Sequence, residues 1–292
     1  MRRPNTQRLL RAAAFTVCAT GCIDNTIRQQ PISDIAVVTG DFDHMSDPLD
    51  RMLIAYKEYE GFICCASYDT TVDPDANAMK VESLFTGETE AGGQELFLYD
   101  AVFLNSGSRG WGAYEYNGVG DDDHFLKDPA VLQNIEEFVN RGGVLVLTDW
   151  TYDLIEAIWP DVVSFYGEGG ELDAAQVGLI GTVEAKVADE VLSNKLEQES
   201  VNITYNFSNW TIIESVSEGV EVYLTGDANY RISASEGNGT LSDVPLLISF
   251  EKGGGQVIFA SFHWAAQNPE LSQVLMTEVI EGFSVVAQGG DL

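Results

Sequence analysis

The sequence predicts an α/β fold: an open, mostly parallel sheet with helices on both faces, extended by a β-rich insertion and a C-terminal hairpin. Three observations predict it. Short continuous apolar runs recur, the mark of strands covered on both faces. Helical stripes of period 3.6 separate those runs. Glycine and proline stand at the junctions where one periodicity gives way to the other.

The elements follow in order. Asp34-Ile35-Ala36-Val37-Val38-Thr39 predicts a first buried strand. Ser46-Asp47-Pro48 supplies cap residues and an N1 proline. A helix is therefore expected over 46–61, with Leu49, Leu53, Tyr56 and Tyr59 on one stripe before Gly61. Phe62-Ile63-Cys64-Cys65-Ala66 reads as a second buried strand and Ala101-Val102-Phe103-Leu104-Asn105 as a third. A helix over 129–140 carries Leu132, Ile135, Phe138 and Val139 on one face, and Arg141-Gly142-Gly143 stops it. Val144-Leu145-Val146-Leu147-Thr148 starts at once as a fourth strand, and a helix over 152–159 ends before Pro160. Alternation of buried strands with helices is the pattern of a flavodoxin-like open sheet.

The texture changes between about 171 and 238. Apolar and polar residues alternate in Thr182-Val183-Glu184-Ala185-Lys186-Val187 and in Val220-Glu221-Val222-Tyr223-Leu224, as in strands with one face in water. This stretch reads as an insertion or an antiparallel extension. Pro245 to Phe250, the Gly253-Gly254-Gly255 turn and Gln256 to Ser261 then form a hairpin, and a helix over 269–283 closes the domain. One domain over 34–288 accounts for all of this.

The start of the chain has a different character. Arg2 and Arg3 precede an apolar run from Ala12, which ends in Ala19-Thr20-Gly21-Cys22. About ten apolar or small residues behind a basic tip describe a secretory signal, and the run is too short for a bilayer span of about 20 residues. The cysteine after Gly21 resembles the lipidation site of bacterial lipoproteins. That resemblance implies a signal over 1–21, lipid on Cys22, a polar tether over 22–33, and a domain held to a cell-envelope membrane, the outer rather than the inner one.

The chain has 46 acidic against 15 basic residues, a formal charge of −31. Loss of the signal would remove Arg2, Arg3, Arg8 and Arg11 and leave it more acidic still. Such a surface repels nucleic acid and anionic head groups, since binding them requires neutralising phosphates with Lys and Arg. It suits divalent cations, cationic partners or plain solubility. Four cysteines occur; Cys18 falls within the signal and Cys22 carries the lipid, so only the adjacent Cys64 and Cys65 remain. Neighbours on a strand point to opposite faces, so two buried free thiols are expected rather than a bridge.

In open α/β sheets ligands bind beyond the carboxyl ends of the strands. The residues expected there are Asp41, Asp43 and His44 after the first strand, Asp69 after the second, and Ser106, Arg109 and Trp111 after the third. Asp149, Trp150 and Asp153 follow the fourth, and His263 and Trp264 the last.

The order of these segments resembles the class I glutamine-amidotransferase-like fold, including its trehalose-utilisation-protein-like branch. The resemblance is carried by Tyr99-Asp100-Ala101-Val102-Phe103-Leu104, by Phe138-Val139-Asn140-Arg141-Gly142-Gly143-Val144, and by the late strand Gln256-Val257-Ile258-Phe259-Ala260 leading to His263. It covers 34–166 and 244–283. Active amidotransferases place a nucleophilic cysteine on the turn after the strand matched by Val144–Thr148, where this chain has Asp149. They pair the late histidine with a glutamate two residues on, where it has Ala265. The resemblance therefore implies the fold without the triad.

Three uses of the rim remain open. Asp41, Asp43 and Asp69 offer the oxygen ligands that Ca²⁺ prefers, although acids of this kind also cap helices and turns. The Gly120-Asp121-Asp122-Asp123-His124 run is a second acidic candidate. Trp111, Trp150 and Trp264 offer faces for a carbohydrate, or else complete the core. His263, oriented by Asp149 or Asp153, has the makings of a general base. The expected function is binding of a small ligand, glycan or envelope protein at the strand-end cleft. The alternatives are a hydrolase using His263 with a rim carboxylate or metal, and a structural envelope protein with no small ligand.

Overall fold

A computed structural model describes residues 32–61, 81–90, 92–107, 128–167, 175–231 and 237–281. The lipidation site Cys22, the strand expected over 62–66, and Asp69, Arg109, Trp111 and the 120–124 run lie outside the described residues.

Among the described residues five strands run parallel: β1 (Ile35–Val38), β2 (Lys57–Tyr59), β3 (Ala101–Leu104), β4 (Val144–Thr148) and β13 (Gly255–Ala260). They lie in the order β2-β1-β3-β4-β13. Counted among themselves that is 2-1-3-4-5, the doubly wound flavodoxin-like order. Successive residues of these strands supply opposite faces. Val37, Phe103, Val146 and Ile258 enter one core with helices α1 (Ser46–Arg51) and α6 (Pro269–Glu281). Val38, Val102, Leu147 and Phe259 enter the other with α2 (Val81–Thr86), α3 (Pro129–Asn140) and α4 (Tyr152–Ile158).

The boundaries of α3 are those the sequence predicts. Asp128 caps it by accepting from the Ala130 N–H at 2.8 Å, and Pro129 takes the first turn. Its stripe of Val131, Ile135, Phe138 and Val139 is buried, each residue worth about 2 kcal/mol of transfer free energy. At its end Gly142 takes φ 106°. Gly143 admits no side chain, because a Cβ there would stand 2.4 Å from the Phe138 ring.

Beyond β13 the sheet turns antiparallel. β12 (Gly239–Lys252) pairs with β13 and with β11 (Val220–Tyr230). The middle of β11 pairs with β7 (Gly181–Val187), and its last residue with β6 (Gln176–Gly178), which meets β9 (Trp210–Thr211). β8 (Ser200–Tyr205) lies outside β7. A separate ribbon joins β5 (Val163–Phe165) to β10 (Ile213–Val216). The β-rich insertion is therefore an extension of the main sheet. It also contains a helix the alternating pattern did not suggest, α5 (Glu190–Leu196), whose N-cap Asp189 accepts from Leu192 N–H at 2.7 Å.

The helix expected over 46–61 is corrected: it ends at Arg51, and Lys57–Tyr59 form an edge strand. Ile54 N–H reaches Leu49 O at 3.0 Å and Leu53 N–H reaches Asp50 O at 3.0 Å. That pair of bonds is a Schellman stop with Leu53 in the left-handed position, φ 58°. Glycine usually marks this position; a leucine there gives no warning.

Candidate functional site

The crevice at the β1/β3 switch point is occupied by the protein's own groups. Asn105 donates to Val38 O at 2.7 Å and accepts from Met45 N–H at 2.7 Å. Ser106 N–H donates to Thr148 Oγ1 at 2.9 Å, and Phe42 N–H to Ser106 O at 3.2 Å. A Cβ on Gly40 would meet Ser106 O at 2.1 Å, so the two loops pack backbone to backbone. Polar chemistry gathers one step along the sheet, beyond β4 and β13.

There Asp149 opens the 3-10 turn Asp149–Thr151 between β4 and α4, with φ 44°. A non-glycine residue in the left-handed region at a strand-to-helix turn is the geometry of a nucleophile elbow, and aspartate tolerates it better than most residues. Asp149 Oδ1 accepts from Thr211 N–H of β9 at 2.7 Å, and Oδ2 meets His263 Nε2 at 3.0 Å. His263 follows β13, and its Nδ1 meets Asn206 Oδ1 at 2.9 Å. Asp149 is 3% and His263 5% exposed. Each ring nitrogen thus has an oxygen neighbour, and the Asp149 carboxylate favours the charged form of the ring.

Asp43 completes the charge cluster from the β1–α1 loop and is wholly buried. Its carboxylate accepts from the N–H groups of His44 at 2.8 Å, Trp264 at 3.0 Å and Ala265 at 3.1 Å, so it ties the first strand's loop to the last. Burial pushes the Asp43 pKa up, against the opposing pull of His263 and those three donors. For His263, burial pushes the pKa down. The hydrogen bond and charge of Asp149, with the charge of Asp43, outweigh it, and the net direction is up. Tyr205 also faces Asp149, and burial raises its pKa; its hydroxyl shares a hydrogen bond with Ser261 at 2.9 Å.

Aromatic rings cover this cluster. Phe42 lies edge-on to Trp150 with centroids 5.0 Å apart and to Phe207 at 5.7 Å, and Phe207 lies 5.8 Å from the His263 ring. Trp150 Nε1–H donates to Asn209 O at 2.7 Å. Phe42 and Trp150 are half-buried and Phe207 is exposed, so ring faces border solvent above a buried ionic group.

Of the expected site residues, Asp43, Asp149, Trp150 and His263 come together. Ser106 is buried beneath the switch point. Asp41 and His44 are exposed on the β1–α1 loop, while Asp43 points inward. Asp153 is buried within α4, and it is Asp149 and Asn206 that hold the imidazole. Trp264 is a correction: it is wholly buried, packs against Phe262 and belongs to the core, so it presents no face to a ligand. Among the described residues no cluster of three or more His, Cys, Asp or Glu is disposed to hold a metal ion.

Three contributors lay beyond sequence reasoning. Asn206 and Phe207 come from the β8–β9 loop, inside the β-rich extension. Gln267 donates to both His263 O at 2.7 Å and Thr204 O at 2.9 Å, and accepts from Thr204 N–H at 2.9 Å. No motif marks these three, because their partners are distant in sequence or are backbone groups.

No protein-family model matches the chain, and no curated protein matches it. Among solved structures it is similar to a glutamine amidotransferase from Thermotoga maritima, at 12% identity over 85% of this chain and 93% of that one, with a TM-score of 0.44. A protein described as part of a GMP synthase, from Thermoplasma acidophilum, gives 10% identity, 86% and 94% coverage and a TM-score of 0.48. A β-galactosidase from Bacillus circulans sp. alkalophilus gives 12% identity and a TM-score of 0.46, with 85% of this chain covering 30% of that one. At these values the likeness is one of general architecture, and the strand order carries the fold by itself.

Proposed function

We propose that this chain is an exported protein of the cell envelope, tethered by lipid on Cys22, whose α/β domain binds a ligand at the aromatic mouth above β4 and β13. Sugar-like ligands suit it best. Glutamine hydrolysis does not. One observation carries the reading: both nitrogens of His263 are engaged, by Asp149 and Asn206, and the sequence resemblance implies that Asp149 takes the position of the amidotransferase cysteine. A base with no free nitrogen cannot activate a nucleophile. Half-exposed rings beside a few fixed polar groups are the make-up of a small-ligand site.

Titrating the protein with trehalose and maltotriose, read by tryptophan fluorescence and by thermal shift, tests the binding half. Saturable quenching that Trp150→Ala abolishes and His263→Gln keeps is the expected result. Silence with every sugar tried, or ammonia release from glutamine, would end this reading. Cys22→Ser should abolish palmitate labelling and release the protein from the membrane fraction.

A second reading, hydrolysis through the Asp149–His263 pair, is favoured by the left-handed turn at Asp149 alone. It predicts turnover of a simple ester such as p-nitrophenyl acetate that Asp149→Asn removes while sugar binding persists.

A further inference from the structure

We infer that the edge of β8, which pairs with no second strand among the described residues, and the groove beside it form a docking site for an extended cationic peptide, which would join the sheet as one more strand. This site is separate from the aromatic mouth and does not depend on it. The inference begins with strand parity. Glu199 O accepts from Val187 N–H, so the odd-numbered backbone groups of this segment face β7. The even-numbered ones, at Ser200, Asn202 and Thr204, therefore face away from it, because backbone direction alternates along a strand. At Thr204 the outward N–H and C=O are both taken by the Gln267 side-chain amide, at 2.9 Å each. Gln267 thus imitates a neighbouring strand for one residue and then stops.

Past that point the edge borders a groove of about 320 Å³ between β8, α5 and the start of α6. Leu196, Val201, Leu271 and Val274 give it an apolar floor, and Asn202 and Glu270 stand on its rim. Outward N–H and C=O groups at Ser200 and Asn202 offer a ladder for strand addition, the commonest use of an open sheet edge. Two outward residues span roughly 7 Å at about 3.3 Å per residue, so about three residues of a peptide pair with the edge, with Gln267 as their stop.

Charge selects the occupant. The chain carries −31, Glu270 lines the groove while Glu184 lines a second hollow beside the same strand, and Lys195 on the groove wall is already paired with Glu278 and Glu281. A second copy of this chain would bring the same negative charge to the same edge. A peptide with apolar side chains at alternate positions and lysine between them satisfies the floor and the field together.

The test uses a fluorescein-labelled hexapeptide of alternating lysine and valine, titrated into the full chain and read by anisotropy. Saturable binding is expected, with at least tenfold weakening when the sheet-facing backbone nitrogens of the peptide are methylated and less than twofold when the opposite set is. Val274→Lys should also weaken binding at least tenfold, and saturating peptide should slow amide exchange at Ser200 and Asn202 at least tenfold. Absence of saturation at millimolar peptide overturns the proposal. So does equal binding of an alternating glutamate–valine peptide, or indifference to backbone methylation, which would mean charge attraction alone. Self-association of the chain that the peptide fails to reverse overturns it as well.

Discussion

Asp149 and His263, 114 positions apart in the chain, meet at 3.0 Å in the protein interior. The contact joins the turn after β4 to the loop after β13, and through Thr211 and Asn206 it holds the β-rich extension onto the parallel half of the sheet.

Breaking this pair from one side strands the other charge in a dry site. Asp149→Ala should destabilise the protein by about 3 kcal/mol, the usual cost of an uncompensated buried ion. Urea unfolding measures it, and a loss under 1 kcal/mol would mean that water reaches His263.

The pair also sets a pH dependence. The folded-state pKa of His263 is raised above its unfolded value of about 6.5. Its contribution to stability is therefore complete below about 6.5 and lost as pH rises through the folded value. The raised pKa of Asp43 acts in the same sense. As pH rises above about 6.5, urea midpoints of the wild type should fall more steeply than those of His263→Gln. Parallel curves for the two proteins would contradict the assignment.

Leu53 is 92% exposed and left-handed, a conformation costing an L-residue about 1 kcal/mol. Leu53→Gly should stabilise the protein by up to about 1 kcal/mol, the flexibility of glycine in the unfolded chain offsetting part of the gain. Calorimetry decides the matter, and a lowered midpoint would show that the leucine makes a contact of its own.

Gln267 satisfies three backbone groups with one amide. Gln267→Ala should cost about 2 kcal/mol, since each net hydrogen bond is worth about 1 kcal/mol and the freed groups beside His263 are buried. Amide exchange at Thr204 should quicken at the same time, and unchanged exchange would place its protection elsewhere.

Where pattern and local chemistry coincide, the fold was legible. α3, flanked by Asp128-Pro129 and Gly142-Gly143, and β4, a run of five apolar or β-branched residues, lie where the sequence predicts them. The stop at Arg51 was not legible, because Leu53 adopts a conformation that sequence associates with glycine. α5 escaped notice because its seven residues lie among alternating strands. Of the site, Asp149 and His263 were legible as ends of two strands that the fold brings side by side. Trp264 was misjudged, since position after a strand does not reveal which way a ring turns, and Asn206 and Gln267 recognise backbone and imidazole that only the folded chain assembles.

The place of β13 between β4 and β12 governs how this chain can fold. As the polypeptide emerges, β4 is complete long before the strand that covers its flank, and everything from α4 to β12 must be threaded and collapsed first. Pairing across so wide a stretch of sequence is slow. During that interval Val144-Leu145-Val146-Leu147 is a sticky, uncharged segment open to any other nascent chain. The yield of folded protein should therefore depend on dilution and on holdase supply far more than on final stability.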